Sequence, residues 1–194
     1  MASTTETPAT TGVDTIPAGA WSPDPVHSIV GFRVRNMGIV TVRGHFSDYE
    51  GTLVSDGTLE GTRAEGTVRV ASIDTGSDKR DAHLLSEDFF AAEDHQQIRF
   101  ASTNVERDGD GFKVTGDLTI KGVTRPVQLH AVPQAPAPID DPWGGTRIGL
   151  EVTGEIDRRD YSVEWDVRTP AGIPLASHTV RLELHLGLVK SEES

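Results

Sequence analysis

The residues with the clearest potential for chemistry lie near the middle of the chain, where Arg80, Asp81 and His83 follow one another closely. A guanidinium donates paired hydrogen bonds to phosphate, and a helix N-terminus favours an anion because its first N–H groups are unpaired. Asp81 would repel that anion, so the same residues also fit an Arg–Asp pair that anchors a helix to its neighbours. We favour the anchoring role and keep Arg80 and His83 as candidates for contact with a polar head group.

His27 is a further polar candidate, because it follows a proline-containing segment and precedes Ser28. A histidine in this position either provides a polar contact at the mouth of a cavity or completes a turn through local hydrogen bonds. Both interpretations stay open, and His27 is our third candidate for a head-group contact.

The sequence contains no signature of catalysis. It has no cysteine and no Gly-x-Ser-x-Gly turn that would present a nucleophile. Its seven histidines are scattered and lack the spacing of a zinc site. We therefore predict no catalytic residue, no bound metal and no cofactor. The alternative is an enzyme for an apolar substrate, with His27 or the Arg80, Asp81 and His83 group as acid and base.

Composition limits the classes of partner. The chain has 194 residues, enough for one domain with a sizeable core, and a net charge of −12. That charge repels phosphate backbones, so we expect no binding to nucleic acid. No apolar run approaches the length of a membrane span, so we expect no integral membrane segment. The N-terminus lacks the basic and apolar regions of a secretory signal, which predicts a cytoplasmic protein.

The chain divides into an arm and a single domain. Residues 1–19 are rich in Thr, Ala, Pro and Gly and offer little apolar surface to bury, which predicts a disordered N-terminal arm. Residues 20–190 contain the apolar patterns and are predicted to form one folded domain.

Residues 111–129 show the most regular pattern in the chain. Apolar side chains between Phe112 and Ile120 alternate with polar ones, a period of two that is typical of a half-buried strand. Gly122 interrupts the alternation, which then resumes, so the segment is predicted to be a β-hairpin. Gly116 lies on the apolar face, as does Gly154 in a later strand. Such glycines either leave room for a ligand or allow the strand to bend.

The same alternation recurs along most of the chain. Long strands with one apolar face favour an antiparallel barrel, because closure removes exposed strand edges, although a two-sheet sandwich has a similar pattern. The pattern changes once, at residues 79–91, where apolar residues recur at helical spacing after Ser77, a favourable N-cap. We therefore predict one short α-helix packed on the strands.

Several short motifs occur in a fixed order between residues 20 and 190. They include Ser72-Ile73-Asp74-Thr75-Gly76, Arg80-Asp81-Ala82-His83-Leu84 and Gly116-Asp117-Leu118-Thr119-Ile120-Lys121-Gly122. With this set the chain resembles the YceI-like family, whose members have a lipocalin-like barrel and bind polyisoprenoid lipids. The resemblance implies an all-β fold, an antiparallel up-and-down lipocalin-like β-barrel of about eight strands with one short α-helix.

The apolar strand faces would line the barrel interior, which at this size is either filled by side chains or holds one small ligand. The residues alone leave a packed barrel that serves as an interaction module open, whereas the resemblance implies an isoprenoid ligand. That ligand, a polyprenyl phosphate or an isoprenoid quinone, would be sequestered or carried without chemistry. The sequence leaves the oligomeric state open, and a homodimer formed through the regular last strand is one candidate. The predicted lining residues are Val30, Phe32, Val34, Val42, Phe46, Leu84, Phe89, Phe100, Phe112, Val114, Leu118, Leu150 and Leu184.

Overall fold

The structure is a computed structural model, and it describes residues 14–191. Within them, twelve strands form one antiparallel sheet, joined by a single α-helix, α1 (Asp78–Leu85), and two short 3-10 turns, Val70–Ser72 and Arg158–Tyr161. The strands are β1 (Gly19–Pro23), β2 (Ile29–Asn36), β3 (Val40–Phe46), β4 (Tyr49–Ser55), β5 (Arg63–Arg69), β6 (Ile73–Asp74), β7 (Gln97–Asp108), β8 (Gly111–Ile120), β9 (Val123–Pro133), β10 (Ile139–Asp140), β11 (Thr146–Asp157) and β12 (Ala176–Lys190).

Eight of these strands close into a barrel in the order β11, β9, β8, β7, β5, β4, β1, β12, with β12 pairing back to β11. On the edge of β12 that faces away from β11, the C-terminal residues of β12 pair with β1 and the residues before them pair with β2. The strands β2, β3 and β6 therefore extend the wall beyond the ring. The predicted closed antiparallel barrel is confirmed, and the sandwich alternative is wrong.

The predicted hairpin is formed by β8 and β9. Ile120 pairs with Val123, and the two turn residues between them, Lys121 and Gly122, have φ of 49° and 75°. Two left-handed residues in a two-residue loop match the right-handed twist of the flanking strands. The Phe112 side chain on this hairpin is buried on the inner face, as the alternation predicted.

The prediction of a helix over residues 79–91 is wrong in its second half, because α1 ends at Leu85. Ser86 has extended backbone, and both its N–H and its hydroxyl donate to the carbonyl of His83, at 3.1 and 2.7 Å. Phe89 belongs to the turn that follows, where its N–H donates to Ser86 O. The apolar residues kept helical spacing beyond Leu85 because the turn directs the Phe89 ring towards the barrel, as the helix would have done.

The folded part of the chain begins earlier than residue 20. Residues 1–13 of the expected disordered arm lie outside the described residues. Ile16, however, is buried and accepts a hydrogen bond from Ser55 Oγ at 2.9 Å, and Pro17 O accepts one from Trp21 Nε1 at 3.1 Å. The predicted arm of residues 1–19 is therefore wrong at its C-terminal end, because Ile16 is apolar enough to pack against β4 and β1.

Both edges of β12 are occupied by neighbouring strands over most of its length. β11 pairs with it from Thr179 to Val189, and β1 and β2 pair with the opposite edge. Addition of a partner to the last strand would break these ladders, so this route to a homodimer is wrong. The homodimer itself stays a prediction.

Candidate functional site

The barrel interior contains two adjoining cavities. The outer chamber, about 520 Å³, lies beneath α1 at the end of the barrel formed by Asn36, Ile120 and Ala176, and the inner chamber, about 260 Å³, lies deeper among the strands. Together they fall in the size range of small-molecule sites, roughly 300–1,000 Å³. Five residues line both chambers and form the neck between them: Phe32, Phe46, Ile98, Ile120 and Leu182.

Several inward-facing side chains of the outer chamber are only partly buried. Phe32, Val34 and Val42 point into the barrel and yet retain accessible surface. The rings of Phe32 and Phe46 are 5.7 Å apart and tilted rather than stacked. Side chains that filled the barrel would bury one another completely, as in other close-packed protein interiors. The open interior therefore argues against the packed-barrel alternative.

All thirteen predicted lining residues lie in the wall of one chamber or the other, although their contact with a ligand stays a prediction. Those of the outer chamber include Val34, Val42, Leu84 and Phe89, while Phe32 and Phe46 lie at the neck. The inner chamber is lined by Val30, Phe100, Phe112, Val114, Leu118, Leu150 and Leu184.

Neither glycine proposed to leave room for a ligand does so. A β-carbon at Gly116 would lie 2.5 Å from the Phe100 ring, and one at Gly154 would lie 2.5 Å from Leu129 Cδ2. Neighbouring side chains therefore fill the space beside both glycines, and that interpretation is wrong.

Helix α1 is anchored through Thr75, the residue that follows β6. Arg80 donates from Nε to Thr75 Oγ1 and from Nη2 to Thr75 O, both at 2.6 Å. Asp81 accepts from the Thr75 N–H at 3.1 Å and from the Thr75 hydroxyl. The anchoring role is therefore observed, but it runs through Thr75 rather than through a direct Arg–Asp pair. Arg80 also lines the outer chamber.

His83 lines the outer chamber within an aromatic cluster. Its ring is edge-on to Phe89 and Trp165, with centroids 5.0 and 5.4 Å away. Its Nε2 lies 2.8 Å from Asp88 Oδ2, so one ring nitrogen already has a partner. This position keeps His83 beside any ligand in the chamber.

His27 lies away from both chambers. It is exposed on the segment between β1 and β2, with Nδ1 2.8 Å from Asp24 Oδ2. Arg147 Nη1 contacts the same carboxylate oxygen at 2.6 Å, and the Val26 N–H donates to the other oxygen. The hydrogen bonds from Arg147, His27 and the Val26 N–H together hold the pKa of Asp24 far below its usual range. The local hydrogen bond favours the interpretation of His27 as a turn histidine, and the structure does not bring His27 to either chamber.

Arg158 also lines the outer chamber, although no sequence pattern predicted it there. Arg158 is 6% exposed, and it donates only to backbone carbonyls, those of Ala176 and Ser177 at the start of β12 and that of Val163 just after the 3-10 turn. Burial lowers the pKa of this guanidinium, which nevertheless stays protonated at neutral pH. No local pattern marks Arg158 as a chamber residue, because two of its carbonyl partners lie 18 and 19 positions later in the chain.

Tyr161 and Trp165 were also missed, although both line the outer chamber. Tyr161 is almost fully buried, and burial raises the pKa of its hydroxyl to about 12. It is therefore a neutral phenol that can donate a hydrogen bond. Aromatic residues in an irregular segment were the signal, but no periodicity placed them on a face of the barrel.

No set of three or more His, Asp or Glu side chains within residues 14–191 is arranged to hold a metal ion. No α-helix in the same range is both long and apolar enough to cross a bilayer. The polar side chains that line the outer chamber are His83, Arg158, Tyr161, Arg35, Asn36, Thr75, Ser77, Lys79 and Arg80.

The chain is similar in sequence to a known protein family. The family model for the YceI-like domain matches residues 21–188. The protein YceI of Escherichia coli is 39% identical over 144 residues, which cover 73% of this chain and 73% of that protein.

Solved structures agree with the fold. The crystal structure of the Campylobacter jejuni YceI protein has a TM-score of 0.69 and 28% identity, over 79% of this chain and 88% of the other. A polyisoprenoid binding domain from Saccharophagus degradans has a TM-score of 0.62 and 20% identity, over 89% and 99% of the two chains. At that identity the second likeness supports the fold alone.

Proposed function

The chain belongs to the YceI-like family, and on that premise we propose that it binds an isoprenoid lipid inside the barrel and sequesters or carries it without chemical change. The observation that carries this proposal is the pair of connected chambers with almost entirely apolar walls. Two adjoining chambers that share five wall residues suit a long, flexible tail better than a compact ring system. The Saccharophagus degradans domain with the same fold is a polyisoprenoid binding domain.

Burial of the tail would supply the binding free energy. Each methylene removed from water contributes at most about 0.8 kcal/mol, so a five-carbon unit contributes roughly 3 kcal/mol before ordering costs. A few units are therefore enough for tight binding with no charged contact. The rings of Phe32 and Phe46 at the neck and of Phe100 and Phe112 in the inner chamber provide the surface against which such a tail would pack.

Binding without chemistry is supported by the hydrogen bonds that the candidate acid and base residues already make within the protein. Asp81 accepts hydrogen bonds from Thr75, and His83 is paired with Asp88. His27 is outside the chambers altogether. A polyprenyl phosphate and an isoprenoid quinone both remain candidate ligands. The cytoplasmic location stays a prediction, since the N-terminal residues on which it depends lie outside the described part of the chain.

The test is extraction and native mass spectrometry of the purified protein, followed by titration with isoprenoid alcohols of increasing length. We expect a co-purifying isoprenoid or, in delipidated protein, an increase in melting temperature. At a ligand concentration of 100 times Kd the gain is about 2.7 kcal/mol, which for a chain of this size corresponds to roughly 5–10 °C.

Failure to bind any isoprenoid and an unchanged melting temperature would overturn the proposal. The enzyme alternative is tested in the same samples by following the mass of the added lipid. Recovery of unchanged lipid is expected. A product that disappears in His83→Ala would show that the barrel is an enzyme instead.

A further inference from the structure

The wall of the outer chamber differs in charge from the rest of the chain. It includes four cationic side chains, Arg35, Lys79, Arg80 and Arg158, and no aspartate or glutamate from the described residues. The chain as a whole has 30 acidic residues against 18 lysines and arginines. Separation of this kind creates a local positive potential, which favours an anionic group in a site that is otherwise apolar.

Arg158 is the buried member of this cationic set. Its guanidinium has five N–H donors. Nε donates to Ser177 O at 3.0 Å, Nη1 to Val163 O at 2.6 Å and Nη2 to Ala176 O at 3.3 Å. No carboxylate in residues 14–191 forms an ion pair with it. The carbonyls fix the position of the charge without neutralising it, although a buried charge is costly when it has no counter-ion.

The next residue in the chain provides the contrast. Arg159 is exposed, and its guanidinium binds the Asp157 carboxylate, with Nη2 2.5 Å from Oδ2. The two arginines of this turn therefore differ in their partners. The exposed Arg159 binds a carboxylate, whereas the buried Arg158, which lines the chamber, is held by backbone carbonyls alone.

Tyr161 adds a second donor on the same side of that turn. Arg158 and Tyr161 are the first and fourth residues of a 3-10 turn, in which three residues complete a turn, so their side chains share one face. Both line the outer chamber. The Tyr161 side chain is 2% exposed, and its hydroxyl makes no hydrogen bond with the described residues.

We propose that Arg158 and Tyr161 form a head-group site that selects an isoprenoid with an anionic phosphate ester over the corresponding neutral alcohol or quinone. The inference rests on the proposed function, because it assumes that the apolar tail occupies the chambers. The two guanidinium N–H groups that do not bind carbonyls and the Tyr161 hydroxyl donate to the phosphate oxygens. Arg35, Lys79 and Arg80 add positive potential around the same chamber.

Matched ligands test this selection. Farnesyl phosphate and farnesol share one tail, and inorganic phosphate presents the head group alone. At pH 7, where the phosphate ester carries a charge of about −1.5 to −2, we expect farnesyl phosphate to bind delipidated protein at least about tenfold more tightly than farnesol. Added salt should weaken only the binding of the phosphate. Inorganic phosphate alone should bind negligibly.

Variants identify the residues. Arg158→Met should remove most of the preference for farnesyl phosphate over farnesol, whereas Arg159→Met, at an exposed position outside both chambers, should leave the Kd of each ligand unchanged. Tyr161→Phe should give an intermediate loss. If Arg158→Met does not fold, as judged by circular dichroism, Arg158→Lys replaces it and should lose preference because a lysine cannot reproduce the paired donors.

Each contrary result has a distinct meaning. Equal affinity for farnesyl phosphate and farnesol in the native protein overturns the head-group site while leaving the isoprenoid proposal intact. A preference that survives unchanged in folded Arg158→Met or Arg158→Lys overturns the assignment to Arg158. Tight binding of inorganic phosphate alone overturns the assignment to a lipid head group. Absence of binding by both isoprenoids overturns the proposed function itself.

Discussion

The ring of Phe100 on β7 covers Gly116 on the neighbouring strand β8, and a β-carbon at Gly116 would lie 2.5 Å from two of its carbons, Cε2 and Cζ. The glycine thus lets a bulky ring lie flat against the barrel wall. Phe100 also lines the inner chamber, so the pair determines how far the ring projects into the space available to a ligand.

We therefore expect Gly116→Ala to destabilise the protein by about 1–3 kcal/mol, because the added methyl group must displace the Phe100 ring or the adjacent backbone. Urea unfolding measures the change. Gly66→Ala on β5 is the matched control, since a β-carbon there meets its nearest atom, Glu50 O, at 3.4 Å. The control should be neutral or slightly stabilising. Equal stability of the two variants would show that Phe100 moves aside freely.

The strands were predictable because their signal is local. The alternation between Phe112 and Ile120 places each side chain on one face of β8 whatever the rest of the chain does. The relationship between Gly116 and Phe100 was not predictable in the same way, because it depends on strand register across the ladder of β7 and β8.

Arg158, the buried cation of the outer chamber, escaped prediction for a related reason. Arg158 becomes a chamber residue only because the carbonyls of Ala176 and Ser177, 18 and 19 positions later in the chain, return to meet it. His27, in contrast, was proposed for the site because of its residue type, and its partner Asp24 is only three positions away. Residue type and spacing therefore located the apolar walls and two polar side chains of the outer chamber, Arg80 and His83, but not Arg158 or Tyr161.

The neck predicts a change in the preferred tail length. Leu182 lies between its strand partners Phe32 on β2 and Gly154 on β11 and lines both chambers. Leu182→Phe should narrow the passage, because the larger ring enters open space rather than a packed core. We expect the Kd of a long polyprenol to rise about tenfold, since its far end could no longer be buried, and the Kd of geraniol to stay within about twofold.

Titrations of both alcohols against the native protein and the variant measure this effect. His185→Phe places the same ring on the exposed outer face of β12 and should leave both Kd values unchanged. A parallel loss for long and short alcohols in Leu182→Phe would contradict a passage between the chambers, because it would mean that every ligand depends on the same space.

The carboxylate of Asp24 predicts a pH-dependent contribution to stability. It accepts hydrogen bonds from Arg147, His27 and the Val26 N–H, and these hold its pKa well below the unfolded value of about 4. Stabilisation is therefore complete above pH 4 and is lost as the pH falls further, because the unfolded chain takes up the proton first. Asp24→Asn should cost about 1–2 kcal/mol at pH 7.

Urea unfolding of the native protein and Asp24→Asn between pH 7 and pH 3 follows this contribution. The difference in the free energy of unfolding should shrink at the acidic end. Asp117→Asn removes an exposed carboxylate of β8 that forms no ion pair within the described residues, and it should have little effect at any pH. A constant difference across the range would assign the effect of Asp24→Asn to packing rather than to charge.

The three tryptophans report separately on ligand binding. Trp165 lines the outer chamber, with its ring 5.1 Å from Phe89, whereas Trp143 is 87% exposed on the loop before β11 and Trp21 is buried at the other end of the barrel. An isoprenoid that enters the outer chamber replaces water beside Trp165, so we expect a blue shift of its fluorescence. Trp143→Phe should keep the shift, and Trp165→Phe should abolish it while binding by native mass spectrometry persists. A shift that survives in Trp165→Phe would place the ligand elsewhere in the molecule.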